Sequence, residues 1–202
     1  MTRIKLCGLS HHGDIEAANE LKPEFIGFVF APKSKRCVSA DKAAELKKML
    51  LPDIKAAGVF VDEDVKTVAN MLNRHIIDIA QLHGREDNNY IAALRTLTAQ
   101  PLIQAFQITC EQDIISAQNS QADFILLDSG TGSGKPFDWS LINKINRPYF
   151  LAGGLDIHNA GKAVKMLHPF AVDVSSGIET DGRKDKEKME AFVAAVRKED
   201  RL

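Results

Sequence analysis

The chain has 202 residues, 45% of them apolar and 26% charged, with a formal net charge of −1. That is enough for one domain with a sizeable core and too little for two large ones. A near-neutral balance leaves no electrostatic footprint for nucleic acid or an anionic membrane. No apolar run approaches the ~20 residues of a membrane span, and the opening M-T-R-I-K-L-C-G has no apolar signal core, so a cytoplasmic protein is expected. Three widely spaced cysteines (Cys7, Cys37, Cys110) without a C-x-x-C argue against a disulfide framework or a structural zinc site.

In chain order, short β-type runs fall at residues 4–7, 25–30, 56–61, 77–82, 102–106, 124–127, 149–152 and 171–174. Their spacing of roughly 20–30 residues is that of strand–helix units. Near-continuous apolar character suits a parallel sheet covered on both faces. Between them lie helical stripes: Val65, Val68, Ala69 and Leu72 with Asp64 placed to cap; Tyr90, Leu94 and Leu97; Ile157, Ala160, Gly161 and Val164 opened by Asp156; and Met189, Phe192, Val193 and Val196. Segments 14–21 and 41–50 are good helix formers with acidic first turns, and shorter helices are expected at 112–117 and 139–145. Pro23, Pro52, Pro101 and Pro148 all fall in the connections.

Eight strands alternating with eight helices read as a single (β/α)8 TIM barrel over residues 1–202. An open doubly wound sheet is the alternative, but the first strand ends in Cys7-Gly8-Leu9 with no G-x-G-x-x-G.

In such a barrel, active groups sit where strands end. The runs at 149–152 and 171–174 are followed by Gly153 and Gly154, and by Ser175, Ser176 and Gly177. Small residues with free backbone N–H groups on neighbouring strands make an anion cradle, where loops seven and eight of a barrel commonly hold phosphate. Cys7 ends the first strand and is a base or nucleophile if its thiolate is stabilised, for which Lys5, two residues away on the same side, is placed; a small buried core residue is the other reading. Asp128 ends the sixth strand, where partial desolvation raises a carboxyl pKa and suits it to donate a proton. Asp62 is in a similar position but reads as a helix cap. Arg36 closes the basic loop Ala31-Pro32-Lys33-Ser34-Lys35-Arg36 and is the natural clamp for a carboxylate. His83, before Gly84, is a substrate contact or a polar turn residue. Cys37 and Cys110 read as structural.

Gly130 to Pro136 looks like a P-loop but lacks the first glycine and the Ser/Thr after the lysine, so it reads as a mobile loop after the sixth strand. His11, His12, His158 and His168 have no metal-ligand spacing.

Taken together, these blocks resemble the phosphoribosylanthranilate isomerase family. The likeness is carried by K-L-C-G-L at 5–9, G-F-V-F-A-P-K-S-K-R at 27–36, G-V-F-V-D at 58–62 and Q-L-H-G at 81–84. It continues with L-L-D-S and G-S-G-K-P-F-D-W up to Trp139, L-A-G-G-L at 151–155 and V-D-V-S-S-G-I-E at 172–179. The resemblance implies a (β/α)8 barrel that needs no cofactor or metal and performs an Amadori rearrangement of a small phosphorylated substrate, as a monomer or homodimer. It implies Cys7 as general base, Asp128 as general acid, Arg36 on the anthranilate carboxylate, and Gly153, Gly154, Ser175, Ser176 and Gly177 on the phosphate. In the family loop two often reads Ser-Pro-Arg; Ser34-Lys35-Arg36 here implies a looser loop. The other readings are a different sugar-phosphate barrel enzyme, disfavoured by Cys7 with Asp128, and a non-catalytic phosphate-binding barrel.

Overall fold

The computed structural model describes residues 1–128 and 139–199. Its eight long strands are β1 (Arg3–Cys7), β2 (Phe25–Val29), β3 (Lys55–Phe60), β4 (Ile79–Leu82), β5 (Leu102–Gln107), β6 (Phe124–Asp128), β7 (Tyr149–Ala152) and β8 (Ala171–Val174). They close in sequential order into a barrel, with β1 paired to β8 and every pairing parallel. Helices α1 (His12–Leu21), α2 (Ala40–Met49), α3 (Val65–Asn73), α4 (Asn88–Arg95), α5 (Glu111–Gln118), α6 (Ala160–Leu167) and α7 (Lys186–Glu199) follow strands one to five, seven and eight. A small antiparallel hairpin, β9 (Glu179–Thr180) and β10 (Arg183–Lys184), stands between β8 and α7.

Two helical expectations are corrected. After β6 the segment Trp139–Lys144 is a 3-10 helix rather than an α-helix. Trp139, Ile142 and Ile145 recur every third residue and all pack on the core, a period that suits three residues per turn. Helix α6 starts at Ala160, not at Ile157, because the Asp156 carboxylate accepts from the N–H groups of His158 and Asn159 in a turn of its own. Asp64 caps α3 as expected, accepting from Lys66 and Thr67.

Alternation along the strands separates two buried regions. Ile4 and Leu6 belong to the layer between barrel and helices, which also takes Met189, Phe192 and Val196 of α7. Lys5 and Cys7 point inward. At the end where the strands begin, the interior is stoppered by Phe25, Phe124, Phe150 and Phe170. Phe124 lies 5.0 Å from Phe170 and 5.8 Å from Phe150 between ring centroids, and the Arg3 guanidinium lies over the Phe170 ring. With that end filled, the interior opens where the strands finish. Among the described residues, no helix is long and apolar enough to cross a membrane.

Candidate active site

At the carboxyl ends of the strands lies a cleft of about 290 Å³. Its lining includes Cys7, Arg36, His83, Asp128, Gly153, Gly154, Ser175 and Ser176. Of the site residues expected from sequence, only Gly177 is not part of this lining. A Cβ there would stand 2.0 Å from the Leu155 carbonyl oxygen, so Gly177 lets loop eight pack onto loop seven, behind the cleft. The glycine-rich segment of the loop after β6 lies outside the described residues.

Cys7 is the last residue of β1 and only 8% exposed. Its sulfur lies against β2 at Gly27, where an added Cβ would come within 2.6 Å of Sγ. Beneath it, Lys5 Nζ donates to Asp173 Oδ2 at 2.8 Å in a buried ion pair inside the barrel. Burial works against the Lys5 charge, but Asp173 and Cys7 outweigh it and hold the ammonium above its ordinary value. Burial also pushes the Cys7 thiol up; Lys5 pulls it back only in part.

Asp128, the last residue of β6, reaches the cleft with its side chain 27% exposed. His83 Nε2 stands 3.5 Å from its Oδ2, and His83 Nδ1 is 2.8 Å from the Gln81 side-chain nitrogen. With the Gln81 amide donating to Nδ1, the imidazole carries its proton on Nε2, facing the carboxylate. In this orientation Gln81 Oε1 is buried without a partner among the described residues; the reverse orientation would leave the two amide donors there instead.

Loop two carries hydrogen bonds of its own. Ser34 N–H donates to Ala31 O at 2.9 Å, Arg36 N–H to Ser34 Oγ at 3.1 Å and Val38 N–H to Val29 O at 2.9 Å. The guanidinium is held from the side, Nε to Glu179 Oε1 at 2.6 Å and Nη2 to Glu179 Oε2 at 2.8 Å. Glu179 also accepts from Lys184 Nζ at 2.7 Å.

Gly153 and Gly154 have φ of 89° and 64°, a consecutive left-handed pair that only glycine adopts without strain. Both glycines line the cleft at the place where the sequence predicts an anion cradle. Ser175 and Ser176 face it from the end of β8. Asp62, expected as a cap, instead accepts from the Arg85 N–H at 2.7 Å and pairs with its guanidinium. Sequence reasoning missed Gln81, Asp173, Glu179 and Lys184. Asp173 was legible as the one charge within an apolar run; Lys184 gave no signal of its own.

The family model for N-(5′-phosphoribosyl)anthranilate (PRA) isomerase matches residues 4–195. A curated N-(5′-phosphoribosyl)anthranilate isomerase of Clostridium acetobutylicum is 44% identical over 207 residues, covering 98% of this chain and 99% of the relative. A crystal structure of phosphoribosyl anthranilate isomerase in complex with reduced 1-(o-carboxyphenylamino)-1-deoxyribulose 5-phosphate superposes with a TM-score of 0.88 at 33% identity, over 98% of this chain and all of the other. A second structure, of monomers generated from the dimeric phosphoribosylanthranilate isomerase of Thermotoga maritima, gives 0.87 at 33% identity over the same shares.

Proposed function

The chain belongs to the N-(5′-phosphoribosyl)anthranilate isomerase family, and from that premise we propose how its cleft performs the reaction. That reaction converts N-(5-phosphoribosyl)anthranilate to 1-(2-carboxyphenylamino)-1-deoxy-D-ribulose 5-phosphate, an Amadori rearrangement in tryptophan biosynthesis.

The substrate has an anion at each end, and the cleft offers a cationic group and an N–H cradle. Gly153, Gly154, Ser175 and Ser176 take the phosphate, with Gly177 supporting the cradle from behind. Arg36 takes the anthranilate carboxylate, and His83 contacts the substrate beside Asp128. Fixing both ends places the reacting carbons between β1 and β6. Asp128 protonates the furanose ring oxygen, the C1′–O bond breaks, and the nitrogen lone pair forms the protonated Schiff base. The Cys7 thiolate then takes the C2′ proton, and the C–H electrons move to the iminium to give an enol-amine. Loss of the enol proton and protonation at C1′ give the ketone. Lys5, whose charge lies beneath the sulfur, stabilises the thiolate in this step.

The observation that carries this reading is that Cys7, Asp128, Arg36 and the small residues after β7 and β8 line one cleft. The whole chain acts as one barrel domain, as a monomer or homodimer. Expression in a bacterial strain lacking its own isomerase tests the activity: the wild-type chain restores growth without tryptophan, and Cys7→Ala does not. Failure of the folded wild-type chain to restore growth would contradict the reading.

A further inference from the structure

The hairpin after β8 has no part in the chemistry above, yet it reaches into the site. Its turn, Asp181–Gly182, has φ of 51° and 76°, the pair of left-handed residues that a two-residue type I′ turn requires. That turn sets the register, which puts Lys184 directly opposite Glu179. Lys184 is almost wholly buried, with its side chain 3% exposed, and its ammonium donates to Glu179 Oε1 at 2.7 Å and to the Ser175 carbonyl at 2.9 Å. Glu179, 9% exposed, grips the side edge of the Arg36 guanidinium. Lys188 Nζ fixes the Glu179 carbonyl at 2.7 Å.

We propose that Glu179 and Lys184 are positioning residues that make Arg36 selective for a carboxylated substrate and lock it to the strand end that carries the phosphate cradle. This rests on the reading of Arg36 as the carboxylate clamp.

Two arguments support it. A guanidinium presents two forks: a side fork from Nε and one Nη, and an end fork from the two Nη groups. Glu179 occupies the side fork, so the end fork remains for a second carboxylate in the same plane. Two cations and one anion also leave one positive charge in excess. Lys184 is buried and Arg36 is 30% exposed, so that charge is presented to the cleft through Arg36. The chain Arg36–Glu179–Lys184–Ser175 then fixes the separation between the two ends of the substrate site. Burial disfavours the charges of both Glu179 and Lys184. For Glu179 the bonds from Arg36 and Lys184 win and hold its carboxyl at about 2; for Lys184 burial wins and the ammonium is pushed down. The carboxylate therefore stays ionised throughout the neutral range.

The test is calorimetric binding of two ligands: the reduced product analogue bearing the 2-carboxyphenylamino group, and the same molecule with an unsubstituted phenylamino group. Glu179→Gln adds one positive charge to the cluster but releases the two-point grip on the guanidinium; with position outweighing net charge, it weakens the carboxylated ligand at least tenfold and leaves the other within twofold. In the Arg36→Ala background, Glu179→Gln has no further effect on either. Equal losses for both ligands, an unchanged or tighter affinity for the carboxylated one, or persistence of the effect without Arg36 would overturn the proposal. Lys184→Gln, which keeps a donor for the Ser175 carbonyl, is read in the same way and carries the test if Glu179→Gln does not fold; a several-fold loss confined to the carboxylated ligand is expected. If the wild-type protein binds neither ligand, it is the reading of the active site that fails.

Discussion

The base role proposed for Cys7 falls in a place that disfavours its charged form. Burial pushes the thiol up, and Lys5 is the nearest compensation. For a thiol base, kcat/KM rises with pH as the thiolate forms. Lys5→Met removes the compensating charge, so the ascending limb of that profile should move to higher pH; an unmoved limb would remove Lys5 from the account. The same variant leaves Asp173 buried without its cation, which costs about 3–5 kcal/mol when one partner of a buried pair is lost. Asp128→Asn keeps the shape and loses the proton, and turnover should fall on the order of 10²–10⁴-fold with binding of the product analogue little changed. Arg36→Ala should instead raise KM by roughly 10–100-fold, the scale of a charge-assisted contact made in both ground and transition states; an unchanged KM would sink the clamp. Sequence supplied all three of these side chains, because each ends a strand or closes a loop at the catalytic rim of a barrel. It did not assign Asp173 or Gln81, although each lies two residues before a site residue, Ser175 and His83, and so shares its side of the strand, because neither stands at a strand end.

At the scale of elements, the hairpin β9–β10 is held by charge, and its stability should depend on pH. Glu179 is held down to about 2, well below the ordinary glutamate value of 4.5. A depressed carboxyl contributes stability that is fully present above its unfolded value and lost as pH falls towards the folded one. Wild-type stability should therefore drop between about pH 5 and pH 2, and the drop should be shallower in Glu179→Gln; chemical denaturation at several pH values measures it, and parallel profiles would contradict it. The turn that builds this hairpin, Thr180-Asp181-Gly182-Arg183, is a short-range hairpin signal, but its strands are two residues each and lack an apolar alternation to announce them. The 3-10 helix after β6 was obscured for a related reason. A segment of six residues satisfies a period of 3.6 nearly as well as one of 3.0, and only packing decides.

For the molecule as a whole, the phenylalanine stopper and the proposed chemistry lie at opposite ends of one barrel. The phenylalanine stopper fills the end where strands begin, and none of its four rings is among the residues that line the cleft. Phe150→Ala should cost about 3–5 kcal/mol, as large-to-small changes in a packed core do, read as a lower denaturant midpoint at unchanged KM. A rise in KM at full stability would mean the two ends are coupled. This division explains why the barrel itself was legible: eight apolar runs with prolines in the connections require no knowledge of side-chain direction. The way the runs close, and hence which residues across the mouth meet, follows from pairing and twist rather than from any local pattern.

In the proposed mechanism Cys7 and Asp128 carry the isomerisation as base and acid. The most direct measurement generates the labile substrate in the cuvette from anthranilate and phosphoribosyl pyrophosphate with a separate phosphoribosyltransferase, and follows its fluorescence as this protein is added. The wild-type protein is expected to consume the substrate far faster than spontaneous decay, and Cys7→Ala and Asp128→Asn, both folded, to fall by orders of magnitude. Near-normal consumption by either variant would contradict the role assigned to that residue, and a wild-type rate equal to the background would contradict the assignment of the reaction.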